Sequence, residues 1–329
     1  MSYFLLNPGP TNTTLSTKLA QWRGSDICHR TDCFSEKLQE TKDLLLTRFG
    51  NKGFDAAILG GSGTLGMEAM IASLFPSETV HIINAGTYGQ RAIDICKTYN
   101  LKYKEIIARD LDSLKRDTSV RYLCFAENET TTGENFSPHK LIELFPLADL
   151  FIDATSSFGA SNYTGLFGMI KAICFSGNKC LQATTGTAVV IYDPRVEIHS
   201  RSYYSNLSHY QGDNIPFTVP TQSVTALNHV LLKNYNCENL LNQRREKLIT
   251  ALAPLGISCI NSHPCNSIIG FQHPSLTYDQ LRKFLLDRKM VIYSGIPSVA
   301  RSFRLSTISS LFDKKFNHLI KALNESCLC

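Results

Sequence analysis

Lys179 sits in the stretch KAICFSGNKCLQATTGTAVV, a single cation between the apolar runs 172–175 and 188–192. A lysine in such a place can serve as a covalent ligand for a carbonyl group and as a proton carrier. Upstream, Asp153 closes the apolar run ADLFID. A carboxylate there is costly to bury unless it meets a cation or donors. The plainer reading is a helix N-cap, a role Thr155 and Ser156 would also suit. Gly61-Ser62-Gly63-Thr64 follows another apolar run and opens a helical pattern. Glycines let backbone approach an anion, hydroxyls add donors, and a helix start adds oriented N–H groups. The turn lacks the GKS/T ending of a Walker loop, and such turns are as often structural.

Tyr88 lies between glycines in GTYGQ and could rest flat over a planar ligand or pack beneath a loop. Residues 129–133, ETTTG, cluster hydroxyl donors. Taken together, an anion cup, an aromatic plate, hydroxyls, a buried acid and one lysine meet the needs of pyridoxal 5′-phosphate (PLP). The lysine would join the aldehyde, and the acid would keep the ring nitrogen protonated so that the ring can draw in electrons.

These residues need a scaffold that brings them to one edge. Short runs, apolar on both faces, fall at 56–59, 80–83, 122–125, 150–152, 173–175 and 188–192, with helical patterns after the first two. That alternation predicts a mostly parallel sheet covered by helices. Each candidate follows one of these strands, where open α/β sheets gather ligands. After about residue 222 the texture changes to helices over 224–233, 238–252, 278–288 and 314–323, with short strands at 268–271, 291–293 and 303–305. Thr277 to Gln280 has the form of a capping box. We expect an α/β chain with an irregular N-terminal arm over 1–20, a large domain over 21–222 and a smaller α+β domain over 223–329.

The chain has 329 residues, 43% hydrophobic and 19% charged, with a net charge of +5. Its Lys and Arg are scattered, so nucleic acid is not an expected partner. There is neither an apolar run long enough to span a membrane nor a signal-peptide pattern, which predicts a cytoplasmic protein. The eleven cysteines form no CxxC, and reduced thiols are expected. Cys28 with Cys33, or Cys327 with Cys329, are remoter candidates for metal or oxidation, and no metal site is expected.

The motifs LLNPGP, GGSGTLGMEA, INAGTYGQRAIDI, ENETTTGE, FIDATSSFG, SGNKCLQ, HSRS and FTVPTQSV resemble, in order, the 2-aminoethylphosphonate–pyruvate transaminases. Those are class V aminotransferases of the PLP fold-type I group, alongside the alanine–glyoxylate enzymes. The resemblance runs from about residue 4 to 310. It implies Lys179 as the Schiff-base lysine and Asp153 at the pyridine nitrogen. It implies Ser62, Gly63, Thr64 and Asn178 at the phosphate, Tyr88 stacked on the ring and Thr130 at the ring hydroxyl. Thr218 would reach the phosphate from a neighbouring subunit, implying a homodimer. Arg304 would bind the carboxylate of pyruvate or alanine, as a planar guanidinium suits.

His199, Arg201 and Arg30 are candidates for the phosphonate on charge alone. The implied activity, part of phosphonate metabolism, moves an amino group from 2-aminoethylphosphonate to pyruvate, giving phosphonoacetaldehyde and L-alanine. The alternative is an alanine- or serine–glyoxylate type of aminotransferase on another small amine. A cysteine-desulfurase-like lyase and a binding module without turnover are weaker readings. The chain departs from the family pattern in its short linkers near 108–120 and 160–170. It also carries Leu305-Ser306-Thr307 in place of a glycine-containing turn, and Ile296 where a basic residue is common.

Overall fold

The computed structural model describes residues 3–233, 237–296 and 298–328; Cys329 lies outside them. Period-two alternation splits the strand side chains into two layers. Ile58, Leu123, Phe125, Ile152, Ile173, Phe175 and Val189 face one core, into which the helix Asp32–Phe49 sends Leu45 and Phe49. Ala57, Leu59, Cys124, Phe151, Cys174 and Val190 face the other, against Met67, Met70 and Leu74 of the helix Gly63–Leu74. Both faces are covered, so the strands read as continuous apolar runs. Cys124 and Cys174 are fully enclosed in this second core and act there as small apolar residues.

The central sheet has seven strands, in the spatial order 55–61, 186–192, 170–176, 149–153, 122–126, 80–84 and 103–107. Only Gly186–Tyr192 runs antiparallel to its neighbours. All six expected strands are present. Tyr103–Ile107 was not foreseen, because none of its residues is fully buried, unlike those of Asp55–Gly61 at the opposite edge. An edge strand of this kind lacks the apolar signature of an inner one.

The C-terminal part is built on a four-stranded antiparallel sheet, in the order 258–259, 268–272, 302–306 and 293–294. The helices Cys237–Leu252, Tyr278–Asp287 and Phe312–Cys327 contribute Leu248, Leu285 and Phe316 to its core, beside Phe271 and Phe303. The capping box is present: Thr277 Oγ1 accepts from Gln280 N, and Gln280 Oε1 accepts from Thr277 N at 2.9 Å. The strand expected over 291–293 splits in two. Met290–Val291 pairs in parallel with Phe4–Leu5, and Tyr293–Ser294 pairs with the 302–306 strand.

The N-terminal segment is a correction to the expected irregular arm. Phe4–Leu5 is a strand, and the helix Leu15–Arg23 begins within residues 1–20. Phe4 and Leu6 are buried in the C-terminal core. Leu6 N donates to Val291 O, and Ser306 N to Leu6 O, each at 2.8 Å. The apolar FLL triplet supplies that burial, which polar arms lack.

Candidate active site

Four strands and one loop converge on a cup at the carboxyl edge of the parallel sheet. The strand Asp55–Gly61 hands over to Ser62, the N-cap of the Gly63–Leu74 helix. Val80–Asn84 leads to the helix Thr87–Thr98, which carries Tyr88 and Arg91. Asp149–Asp153 ends in its carboxylate, and Ile170–Ser176 leads into Asn178 and Lys179. Ser62, Gly63, Thr64, Tyr88, Asp153, Asn178 and Lys179 all line this cup, together with Met67, Arg91, Thr155 and Ser176. It encloses about 150 Å³ and opens on the side of Ser62 and Thr64, both exposed.

Asp153 is 5% exposed. Its Oδ1 accepts from Thr155 N at 2.9 Å and lies 3.8 Å from the Cys174 thiol. Among the described residues no salt bridge reaches it. Burial raises its pKa, while hydrogen bonds from Thr155 and the charges of Lys179 and Arg91 pull the other way. Burial likewise lowers the pKa of Lys179. Cys180 and Asp153 oppose that shift, and Arg91 adds to it. The chain thus encloses an acid of raised proton affinity and an amine of lowered proton affinity in one cup.

Gly9 closes over the lysine. Its φ is +143°, and a Cβ on it would stand 2.6 Å from Lys179 Cδ. The first strand, pinned to the C-terminal sheet, delivers this glycine to the cup.

Glu129 supports the cup's wall, a position that sequence reasoning missed. It is fully buried. Its Oε2 accepts from Tyr88 N at 3.0 Å and Gly89 N at 3.3 Å, capping the Thr87–Thr98 helix. Its Oε1 accepts from Thr131 N at 3.2 Å and from the Thr131 hydroxyl. Gly86 makes room for it, since a Cβ there would lie 2.8 Å from Glu129 Cδ. Burial raises the Glu129 pKa, and these donors moderate the rise. Arg91 was also missed, although it follows Tyr88 by three residues on one helix, a spacing that puts both on the same face.

Arg304 lies in the strand Ser302–Ser306 and is 6% exposed. It does not line the cup. Its Nε donates to Ser294 O at 2.5 Å and its Nη1 to the carbonyl of Thr130. Burial lowers its pKa, opposed by Tyr88, Tyr293 and Glu129, and its guanidinium carbon lies 5.6 Å from the centre of the Tyr293 ring. Thr130 is buried and meets Arg304 through its backbone. The hydroxyls that replace a glycine turn are bonded inward: Ser306 Oγ donates to Ser267 O at 2.8 Å, and Thr307 Oγ1 to Asn266 O at 2.5 Å.

The three charge-based candidates, His199, Arg201 and Arg30, are not among the residues that line this chain's cup. His199 N donates to Ser73 O at 2.7 Å. Ser73 sits at the far end of the helix whose first residue, Gly63, lines the cup, about 15 Å away at helical rise. Arg201 Nη1 donates to Ala72 O at 3.2 Å and Phe75 O at 2.8 Å, so it closes that helix's C-terminus. Arg30 donates to Ile215 O at 2.5 Å. Carbonyls at a helix end and in a loop hold these two guanidinium groups where they stand. Thr218 is exposed and also stays off this chain's cup.

No family model matches the chain. Among curated proteins it is similar to 2-aminoethylphosphonate–pyruvate transaminases. It is 27% identical to that of Syntrophobacter fumaroxidans, covering 98% of this chain and 96% of the relative. It is 26% identical to that of Bacillus cytotoxicus, covering 98% and 97%. Among solved structures it superposes on a Thermus thermophilus aspartate aminotransferase of subgroup IV with a TM-score of 0.87 at 22% identity, covering 98% and 99%. It also superposes on a PLP-bound phosphoserine aminotransferase from Trichomonas vaginalis with a TM-score of 0.80 at 18% identity, covering 98% and 99%.

The fold is the fold-type I architecture of PLP-dependent aminotransferases. The similarity to the phosphonate transaminases read in the motifs extends over the whole chain. The alignment with the Syntrophobacter protein runs over 360 positions, more than this chain's 329 residues, in keeping with the expected short linkers.

Proposed function

We propose that this chain is a PLP-dependent aminotransferase that moves the amino group of 2-aminoethylphosphonate to pyruvate, reversibly giving phosphonoacetaldehyde and L-alanine. One observation carries the reading: Lys179 and Asp153 face the same cup as the Ser62-Gly63-Thr64 turn. The names of the curated relatives support the choice of substrates.

The cup's donor set fits the cofactor. Asp153, buried and without a salt bridge, suits a pyridine nitrogen that carries a proton. Ser62, Gly63, Thr64 and Asn178 would hold the phosphate, Tyr88 would cover the ring, and Thr130 would lie toward the ring hydroxyl. Bound there, PLP supplies an electrophilic aldehyde and an electron-withdrawing ring.

The chain's own residues do the rest. Burial keeps a larger share of Lys179 as the free amine at neutral pH, the form that can act as nucleophile and base. In the first half-reaction its Nζ would take the proton from the substrate carbon and hand it on to the bound cofactor, and in the second it would carry a proton back to the keto-acid carbon. The Asp153 carboxylate, ionised beside a protonated ring nitrogen, would offset the burial that disfavours its charge and would keep the proton on that nitrogen. Gly9, packed on the lysine stem, limits the arc through which Nζ swings. Arg304 would release the Ser294 and Thr130 carbonyls to take the keto-acid carboxylate. His199, Arg201 and Arg30 bond elsewhere in this chain.

We further propose a cytoplasmic homodimer. Thr218 is exposed and would complete the open side of a second copy's cup. Leu15, Trp22 and Tyr203 expose large apolar side chains, 73% for each of the first two and 77% for the third. Cys28 and Cys33, both exposed, are not joined in a disulfide, as suits a reducing compartment. No helix among the described residues is long and apolar enough to cross a membrane.

A half-reaction screen tests the substrates. Each amine is added alone, the cofactor spectrum is followed, and keto acids are then screened for reversal. Conversion by L-serine and not by 2-aminoethylphosphonate would replace the phosphonate reading with the glyoxylate-type one. Mixing Lys179→Ala with Thr218→Val subunits tests the dimer. Hybrids should regain activity, because one of their two sites keeps both residues, and failure to regain any rules out a shared site.

A further inference from the structure

Arg91 is the one lining residue besides Lys179 that carries a positive charge. Its guanidinium carbon lies 4.8 Å from the centre of the Tyr88 ring, and its Nη1 donates to Thr64 Oγ1 at 3.0 Å. Among the described residues this is its only hydrogen bond, and no carboxylate pairs with it. Most of a guanidinium's five donors are therefore uncommitted, beside two exposed hydroxyls. The bond also fixes the role of Thr64: with a lone pair of Oγ1 taken by Arg91, the hydroxyl proton is left to donate elsewhere. Lys179 cannot supply the lasting charge, because its amine is the reacting group. A guanidinium stays charged at any working pH and matches the geometry of a phosphate.

We propose that Arg91 is the cup's phosphate-selecting residue, setting the preference for the phosphorylated cofactor over its phosphate-free form, directly and by orienting the Thr64 hydroxyl. This rests on the PLP reading given above and adds a residue and a selectivity to it. Arg91 acts on binding; the proton transfers remain with Lys179.

The test is equilibrium binding to cofactor-stripped protein, followed by absorbance and by quenching of protein fluorescence. The wild type, Arg91→Gln and Arg91→Lys are each titrated with PLP and with pyridoxal. A charge-assisted hydrogen bond to a phosphate is worth a factor of roughly 10 to 100 in affinity. Arg91→Gln should lose about that factor for PLP and nothing for pyridoxal, so the preference collapses. Arg91→Lys, which keeps the charge and loses the fork, should lose several-fold.

An unchanged preference in Arg91→Gln overturns the proposal. So does a parallel loss for both ligands, which would mean that Arg91 acts through the Tyr88 ring. If Arg91→Gln fails to fold by circular dichroism, Arg91→Lys decides, and an unchanged preference there is equally fatal. A wild type that binds neither ligand sinks the PLP reading itself, a result distinct from these.

Discussion

The backbone N–H of Tyr88 donates to Oε2 of Glu129 at 3.0 Å. The aromatic wall of the cup is therefore held by a carboxylate from the end of a different strand. That carboxylate also takes Gly89 N and both donors of Thr131, and the next residue's carbonyl takes Arg304. Glu129 is the joint between the ring-covering residue and the proposed acid-binding one. Replacing it with alanine leaves buried N–H groups without acceptors, at a cost of roughly 1–3 kcal/mol each. Glu129→Ala should lower stability by at least that amount in urea titrations and weaken PLP retention on dialysis. Wild-type values for both would remove Glu129 from this role.

Asp153 links function to pH-dependent stability. Burial raises its pKa in the folded chain above the ordinary carboxylate value of about 4. Between those two values the folded state binds more protons than the unfolded one, so stability falls as pH rises through that window. Asp153→Asn abolishes the charge and keeps an oxygen for the Thr155 N–H. The cofactor-free variant should be more stable than cofactor-free wild type at pH 7 yet nearly inactive. Its advantage should shrink as pH falls toward about 4. Denaturation curves across that range check the sign, and an advantage that grew toward acid would contradict it.

How much of this was legible in the residues follows from what each one contacts. The six expected strands were readable because burial on both faces leaves continuous apolar runs, even in Asp55–Gly61 at one edge of the sheet. Lys179, Asp153 and the Ser62–Thr64 turn were readable because strand ends fix where ligands gather. The edge strand Tyr103–Ile107 left no such trace. Glu129 stood in plain view inside ETTTG, yet its value lies in contacts to Tyr88 and Gly89, some forty residues earlier. His199 and Arg201 show the converse. A cation in the sequence says nothing of the carbonyls that will claim it, and here the end of the Gly63–Leu74 helix did.

Gly9→Ala tests the contact between the N-terminal segment and the lysine. At φ +143° an alanine is strained, and its Cβ would lie 2.6 Å from Lys179 Cδ. Either the segment or the lysine must move. Backbone strain of this kind costs about 1–3 kcal/mol. Activity should fall more than stability implies, because the displaced atoms belong to the reacting side chain. Melting temperature and kcat measured together separate the two effects. An alanine variant with wild-type kcat would show that Gly9 leaves the lysine's path alone.

Arg201 and Arg304 offer a paired test of which arginine meets substrate. Arg201 is half-buried and donates to Ala72 O and Phe75 O. Its loss leaves helix-end carbonyls that water can partly reach, so Arg201→Ala should cost about 1–2 kcal/mol of stability and leave the KM of both substrates unchanged. Arg304 is buried with its donors on Ser294 O and Thr130 O. Lysine keeps its charge but lacks the planar fork that holds a carboxylate through two parallel bonds. Arg304→Lys should lower kcat/KM for pyruvate by roughly 10- to 100-fold, the worth of one to two charge-assisted hydrogen bonds. The amine half-reaction should suffer less, because a phosphonate presents no planar carboxylate to that fork. If Arg201→Ala instead raised the KM for the phosphonate, its carbonyl contacts would have to break on binding. A normal pyruvate response in Arg304→Lys would send the search for the carboxylate site elsewhere along the rim of the cup.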